Sequence, residues 1–286
     1  MILVADSGST KTDWIAFSTD NSIQLQGQSE GLNPYFANAE KVATEAANAI
    51  DKAYHDKIKE VHFYGSGCSA DHGKRIIKEG LQMVFPSARF FVEHDLLASA
   101  RALCGKEAGI ACILGTGANA CYYDGNTIMS EAVSFGYVMG DEGAGSHLGK
   151  LFLKDLLNHR LSNTVSQAFY ERYPSFDLEY LLHRLYRTSD PNKYLSSFAP
   201  FISEHQKDES VKHLLKRAFN AFVDEFVVDL AKADIQSLPI HFQGSIAWHF
   251  KDILQEVLQD RQLMCGGILS YPINALLQYH RDNSRM

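Results

Sequence analysis

The chain begins with short apolar runs separated by polar turns. Residues 2–5 are apolar and end in Asp6, the turn Ser7-Gly8-Ser9-Thr10-Lys11-Thr12 follows, and a second run leaves through Asp13-Trp14-Ile15-Ala16-Phe17. A strand, a small-residue turn and a returning strand predict a β-hairpin. Strands are predicted at 2–6, 12–18 and 22–28. The period then changes: from Ala37 to Tyr54, Val42, Ala46 and Ile50 are spaced by four, which predicts a helix. Strand 60–65, a helix near 72–84, strand 89–93 and a helix near 95–104 complete the first third. This β-β-β-α-β-α-β-α order fits a mixed sheet with helices on its faces.

The second half repeats the opening with β segments at 109–114, 119–123 and 127–131. Ile113-Leu114-Gly115-Thr116-Gly117-Ala118-Asn119-Ala120-Cys121-Tyr122-Tyr123 is again strand, small turn and strand. Two such hairpins suggest two related half-domains closing on one nucleotide. Residues 146–235 are dominated by helical patterns, punctuated by Pro174, Pro191 and Pro200. Strand 238–243, a helix near 245–259, a short strand near 263–265 and a terminal helix near 273–283 follow. In His241-Phe242-Gln243-Gly244-Ser245-Ile246-Ala247 a strand enters a Gly-Ser turn at a helix start, where backbone can pass close to a flat ligand such as adenine or ribose. Gly105 and Gly109 mark a hinge near 108–112.

Composition narrows the classes. At 286 residues the chain fits one large domain or two ordinary ones. With 45% hydrophobic and 21% charged residues it can build substantial cores, which argues against disorder. A net charge of −7 disfavours sequence-independent nucleic-acid binding. No apolar run approaches a membrane span, and the N-terminal run is too short for a signal peptide. No nucleic-acid or membrane partner is therefore expected. Cys68, Cys104, Cys112, Cys121 and Cys265 form no CxxC pair, and reduced, buried thiols in a cytoplasmic protein are the expectation. No HExxH occurs among the histidines, and His62 and His94, near strands, read as packed or hydrogen-bonded.

The hairpin at 6–12 and the loop at 115–118 have the chemistry of a phosphate cradle. Gly8 allows close backbone approach, Ser9, Thr10 and Lys11 add donors, and Asp6 can meet a magnesium ion and its water shell. An ordinary Gly/Ser hairpin tip is the alternative. Asp95 lies where Phe90-Phe91-Val92 ends and a helix begins, a place where open α/β sheets put ligands. It is a candidate base for phosphoryl transfer to an alcohol, and equally an N-cap. Asn33 and Asp141 sit in turn-forming Asn-Pro and Gly-Asp contexts. Asp141 and Glu142, between Gly140 and Gly143, also precede a helix whose dipole they could favour.

The chain resembles the actin-like ATPase superfamily that includes hexokinases, and within it the BadF/BadG-type ATPases and N-acetylglucosamine kinases. The matching pieces are DSGSTKTDW at 6–14, GLNPY at 31–35, EHD at 93–95, GTGANA at 115–120, GDEGAGSHLGK at 140–150 and GSIA at 244–247, in the family's order. Two departures are visible. Gly244-Ser245 stands where many relatives have Gly-Gly, and Pro272-Ile273-Asn274-Ala275-Leu276 where a Gly-Ala pair is more usual.

The resemblance implies an α/β fold of two actin-like (ribonuclease H-like) half-domains with mixed sheets flanking a nucleotide cleft. The first would span 1–110, with the terminal helix 272–286 packing back on it. The second would span 111–271, with a helical insertion at about 146–235. ATP and Mg2+ are the implied cofactors. Asp6, Gly8, Ser9, Thr10, Lys11, Thr12, Gly115, Thr116 and Gly117 would hold phosphates, Asp6 also the metal, and Gly244 and Ser245 the adenosine. Asn33, Asp95, Asn119 and Asp141 would bind the sugar, with Asp95 as base. The implied function is an ATP-dependent kinase of an N-acetylated amino sugar, N-acetylglucosamine or N-acetylmuramic acid, acting on the 6-hydroxyl as a homodimer. An ATP-driven activator of a 2-hydroxyacyl-CoA dehydratase is the alternative. Those activators hold an iron–sulfur cluster on cysteines near the second phosphate loop; here Cys121 is followed by no cysteine until Cys265. A non-catalytic sugar or nucleotide sensor is a third reading, opposed by the joint presence of Asp6, Asp95 and Asp141.

Overall fold

The computed structural model describes residues 1–8, 11–18, 20, 22, 24–230 and 235–283. The chain divides into two units, one of residues 1–105 with the stretch from Tyr271 onwards, the other of residues 106–270. The first unit contains β1 (Ile2–Ser7), β2 (Lys11–Phe17), β3 (Gln24–Glu30), α1 (Ala39–Ala49), β4 (Glu60–Gly65), α2 (Asp71–Val84), β5 (Arg89–His94) and α3 (Asp95–Cys104). Its sheet runs β3-β2-β1-β4-β5, with β1, β2 and β3 an antiparallel meander and β1, β4 and β5 parallel. The second contains β6 (Gly109–Leu114), β7 (Ala118–Tyr123), β8 (Ile128–Glu131), α4 (Gly136–Met139), α5 (Gly145–Leu157), α6 (Asn163–Arg172), α7 (Leu178–Tyr186), α8 (Pro191–Ser196), α9 (Ala199–Glu204), α10 (Glu209–Phe222), β9 (Ile240–Gln243), α11 (Ser245–His249), α12 (Lys251–Asp260) and β10 (Cys265–Leu269). Its sheet runs β10-β9-β6-β7-β8, again a meander plus two parallel strands. The last helix, α13 (Ile273–Asn283), belongs to the first unit, where it contacts α3, β1 and β2.

β1 is apolar on both faces because both are covered. Leu3 and Ala5 pack with Val42 and Ala46 of α1 and Ile77 and Leu81 of α2. Val4 faces Ala98 of α3 and Leu276 and Leu277 of α13. Polar residues can then collect only at the strand ends. The helix predicted from Ala37 to Tyr54 is shorter: Asn38 caps α1, Ile50 leaves helical dihedrals, and a 3-10 turn Lys52–Lys57 follows, capped by Asp51.

The second unit is built on aromatic packing. The Phe152 ring lies 5.5 Å from both Phe169 and Phe201, joining α5, α6 and α9. Such pairs add roughly 0.5–1.5 kcal/mol each beyond their buried area. The single helix expected near 245–259 is two, because Phe250 breaks helical geometry and buries its ring beside Phe219 of α10. The strand expected near 263–265 is β10, whose Gly266-Gly267 pair disguises it, and its register on β9 shifts between Cys265 and Ile268. Among the described residues no helix is long and apolar enough to cross a membrane.

A buried polar chain ties α13 to the first sheet. Arg101 Nη1 donates to Tyr64 Oη at 2.7 Å, and Tyr64 Oη shares a hydrogen bond with His280 Nε2 at 2.9 Å. The His280 ring lies 4.0 Å from that of His62, which stacks on Phe91 and bonds Glu60 at 2.6 Å. Burial first, then His62 and Arg101, hold the His280 pKa down to about 2. Burial also lowers that of His62, with Glu60 opposing. The His280 ring is therefore neutral in the fold but protonates near pH 6.5 in the unfolded chain. The stability it contributes is present above that pH and is lost as pH falls below it. Between pH 7 and pH 5 the thermal midpoint of the wild type should fall. His280→Gln, which keeps a partner for Tyr64 but does not titrate, should fall less by roughly 4 °C. Equal falls in calorimetry would contradict this.

Candidate active site

In the first unit β1, β4 and β5 end level: Ser7 pairs with Gly65, and Gly65 with His94. The next residues gather around this edge. Ser66 N donates to the Ser7 carbonyl at 3.2 Å, and Ser66 Oγ donates to Asp95 Oδ2 at 2.7 Å. Asp95 opens α3, but the N-cap is His94, without a side-chain cap bond. The helix-cap reading of the Asp95 carboxylate is thus not realised.

Asp6 lies opposite Asp13 on β2 and beside Tyr64 on β4. Burial, then the Asp95 and Asp13 carboxylates, push its pKa up to about 7, with Lys11 pulling the other way. Acidic side chains crowded where water is scarce are what a cation relieves. Among the described residues no group of three or more His, Cys, Asp and Glu side chains gathers to hold a metal. An ion at Asp6 would take its other ligands from water and phosphate, the usual habit of Mg2+, so the residues fit that ion.

The hairpin closes with Gly8 N donating to the Lys11 carbonyl at 2.9 Å. Ser9 and Thr10 lie outside the described residues. The Lys11 ammonium pairs with Asp13 at 2.8 Å and lies 4.5 Å from the centre of the Tyr271 ring. Thr12, one of the residues expected at the phosphate site, follows on β2. It is fully buried, its hydroxyl donates to the Glu30 carbonyl at 2.9 Å, and it accepts from Ser7 Oγ at 2.8 Å. Ser7 Oγ accepts in turn from Leu32 N at 2.9 Å, so Thr12 anchors the hairpin to the segment before Asn33. Asn33 is a turn former, its Oδ1 accepting from Tyr35 N at 2.9 Å. Its half-buried amide nitrogen has no partner among the described residues. A Cβ on Gly67 would stand 2.7 Å from Asn33 Oδ1, so Asn33 rests on the turn that follows Ser66.

In the second unit the β6–β7 turn, Gly115–Gly117, is held from behind. The first two N–H groups of α5, on Gly145 and Ser146, donate to the carbonyls of Gly115 at 2.8 Å and Thr116 at 3.1 Å. Asp141 adopts φ +62° and is buried, with Oδ1 accepting from Ala118 N at 3.0 Å. A Cβ on Gly117 would lie 3.0 Å from that oxygen, so glycine lets the carboxylate close on the turn. Burial raises the Asp141 pKa, while the Ala118 N–H and Lys150 oppose. Asp141 and Glu142 lie just before α5, whose own first turn holds no acidic residue. Asn119 projects from β7, its Oδ1 accepting from Ala120 N at 2.8 Å.

Two further residues of the GDEGAGSHLGK segment take part. His147 Nδ1 accepts from Gly143 N at 2.9 Å, and burial, then Lys150 and Arg217, bring its pKa to about 4. The neutral ring keeps its proton on Nε2. Lys150 Nζ donates to the Tyr137 carbonyl at 2.6 Å, and burial lowers its pKa, with Glu142 and Asp141 opposing. Their spacing, three apart on one helix, was the available signal. Ser146 Oγ and Gln243 Oε1 are buried without partners near this turn.

Gly244 takes φ +114°, and a Cβ there would lie 2.3 Å from the Leu114 carbonyl oxygen. Ser245 starts α11 and, with Ile246, His249 and Phe250, lines a cavity of about 400 Å³. Its other wall carries Ser196, Ser197 and Ser203 from α8, α9 and their junction, with Ala199 and Pro200. Apolar walls with a few hydroxyls suit a small organic ligand. No motif marks those serines; only folding brings them to Ser245.

A scan against models of known protein families matches none. Comparison with solved structures is more informative. The chain is 37% identical to the "Putative N-acetylglucosamine Kinase" of Porphyromonas gingivalis, covering 99% of each chain with a TM-score of 0.90. The "Putative N-acetylglucosamine Kinase" of Chromobacterium violaceum is 19% identical, covering 97% of this chain and 98% of that one, with a TM-score of 0.73. A "putative sugar kinase" of Cytophaga hutchinsonii is 16% identical over the whole of both chains, with a TM-score of 0.56. The last two show the shared fold alone.

The two glycines of the candidate site should respond differently to a methyl group. At Gly8 a Cβ meets nothing closer than the Lys11 carbonyl at 3.7 Å, an ordinary contact. Gly8→Ala is therefore expected to leave stability unchanged, whereas Gly244→Ala should lose about 2–4 kcal/mol. Denaturant titration of both variants checks this, and equal stabilities would contradict it.

Proposed function

The chain belongs to the BadF/BadG-type ATPase and N-acetylglucosamine kinase family of the actin-like superfamily, and on that premise we propose that it transfers the γ-phosphoryl group of ATP to the 6-hydroxyl of an N-acetylated amino sugar, N-acetylglucosamine or N-acetylmuramic acid. The observation that carries this reading is the Asp95 carboxylate, held at the strand ends by Ser66 and free of capping duty. With Ser66 on Oδ2, Asp95 keeps Oδ1 for a sugar hydroxyl. The sugar oxygen attacks the γ-phosphorus as its proton passes to Asp95, and the bond from phosphorus to the bridging oxygen of ADP breaks. Mg2+, when bound, supplies charge neutralisation for the phosphates, and Asp6 is the residue that would hold its water shell. Gly8 and the Gly115–Gly117 turn would admit phosphates against backbone N–H groups. Ser245 and its cavity would take the adenosine.

Asn33, Asn119 and Asp141 are the proposed sugar contacts. The unpartnered amide nitrogen of Asn33 and the buried Asp141 carboxylate offer a donor and an acceptor for paired hydroxyls. The five free thiols fit the cytoplasmic setting that this reading also proposes.

Asp95→Asn should lower kcat about a hundredfold or more while leaving sugar and ATP binding intact. Near-normal turnover would remove Asp95 from the chemistry. Gly8→Ala should raise the KM for ATP by roughly tenfold with an unaltered KM for sugar, and an unchanged ATP dependence would remove Gly8 from the phosphate site. Across glucose, glucosamine, N-acetylglucosamine and N-acetylmuramic acid, kcat/KM should favour the two acetylated sugars. A preference for glucose would refute the acetyl specificity alone.

A further inference from the structure

Five aromatic rings line one cavity in the helical part of the second unit. They belong to Tyr173, Phe176, Tyr180, Tyr194 and Phe198, and the cavity measures about 300 Å³. Tyr194 of α8 stands steeply to two of the others, at 76° to Tyr180 and 78° to Phe198. Ring edges and ring faces are therefore both offered to a further ring. Two polar groups at this wall have nothing to bond. The Tyr194 hydroxyl and Nε of Arg184 on α7 are buried without a partner. The Arg184 guanidinium lies 4.7 Å from the centre of the Tyr194 ring, and among the described residues it pairs with no carboxylate. Its place in the last turn of α7 suits the helix dipole, but that leaves Nε unanswered. Arg172, which also lines the cavity, is by contrast paired with Glu204 at 2.9 Å.

A buried donor without an acceptor destabilises a fold, all the more when it belongs to a cation. A carboxylate answers both groups, accepting from the phenol and from the guanidinium together. An amide would leave the charge uncompensated, and an aliphatic acid would leave the ring edges unmatched. We propose that this cavity is a second small-molecule site whose ligand is an aromatic carboxylate, its ring among the five aromatic side chains and its carboxylate between Tyr194 and Arg184. Because the Tyr194 hydroxyl is covered, ligand entry swings that side chain toward the carboxylate. Ser197 lines both this cavity and the one beside Ser245, so a ligand here also bears on a wall of the other. None of the residues assigned to phosphoryl transfer lines it, so the proposal stands without that reading.

Ligand-observed NMR titration of the full chain with phenylacetate tests it. For a probe of about ten heavy atoms the expected Kd is roughly 0.1–1 mM. Phenylacetamide, which lacks the charge, and cyclohexylacetate, which lacks the aromatic ring, should each bind at least about fivefold more weakly. Tyr194→Phe should weaken phenylacetate by a similar factor while keeping or raising the thermal midpoint, because it removes a buried hydroxyl that has no partner. Arg184→Gln should abolish the preference for phenylacetate over phenylacetamide. Saturating ADP should not displace phenylacetate, since the cavity beside Ser245 is a different one. No binding up to about 10 mM, equal binding of all three probes, wild-type behaviour in either variant, or displacement by ADP would each overturn the proposal.

Discussion

Three parallel strands that end level force two carboxylates into one another's field. β1, β4 and β5 finish at Ser7, Gly65 and His94, so Asp6, Ser66 and Asp95 gather at a single edge. The faces of the sheet are closed to polar groups by α1 and α2 on one side and α3 and α13 on the other. The repulsion is visible in Asp6, whose pKa is pushed up to about 7 by burial and by Asp95 and Asp13. A fold optimised for stability alone would place apolar or neutral groups here. In the proposed reading, a cation bound through water at Asp6 relieves this crowding.

The second unit repeats the strand order but not the chemistry. The residue preceding the last of β6 is Ile113, where β1 has Asp6. Charge at this edge comes instead from outside the sheet, through Asp141, whose carboxylate closes on Gly117 and Ala118. The amino end of α5 is spent on the turn's carbonyls, which fixes the turn before any ligand arrives. In the proposed division of labour, the first unit holds metal and base and the second holds a preformed glycine turn and the cavity beside Ser245.

Much of this was legible because strands and turns write themselves locally. β1, β2, β4, β5 and β6 follow short apolar runs bounded by turn residues, and α1 follows the four-residue spacing of Val42, Ala46 and Ile50. Thr12 turns inward as alternation along β2 predicts: it shares the face of Trp14 and Ala16, both buried with residues of α1 and α2. β10 was obscured by Gly266-Gly267, since glycine removes the side-chain pattern by which a strand is recognised. The Asp141–Ala118 bond and the serines opposite Ser245 join residues far apart in sequence, and no local spacing encodes them.

The most direct measurement is phosphorus NMR of the wild-type protein incubated with ATP, Mg2+ and N-acetylglucosamine. Loss of the γ-phosphate signal should be matched by an equal gain of a sugar phosphate coupled to the two C6 protons, with little inorganic phosphate. ATP converted only to ADP and inorganic phosphate, or left intact beside every amino sugar offered, would contradict the assignment of these strand ends to phosphoryl transfer.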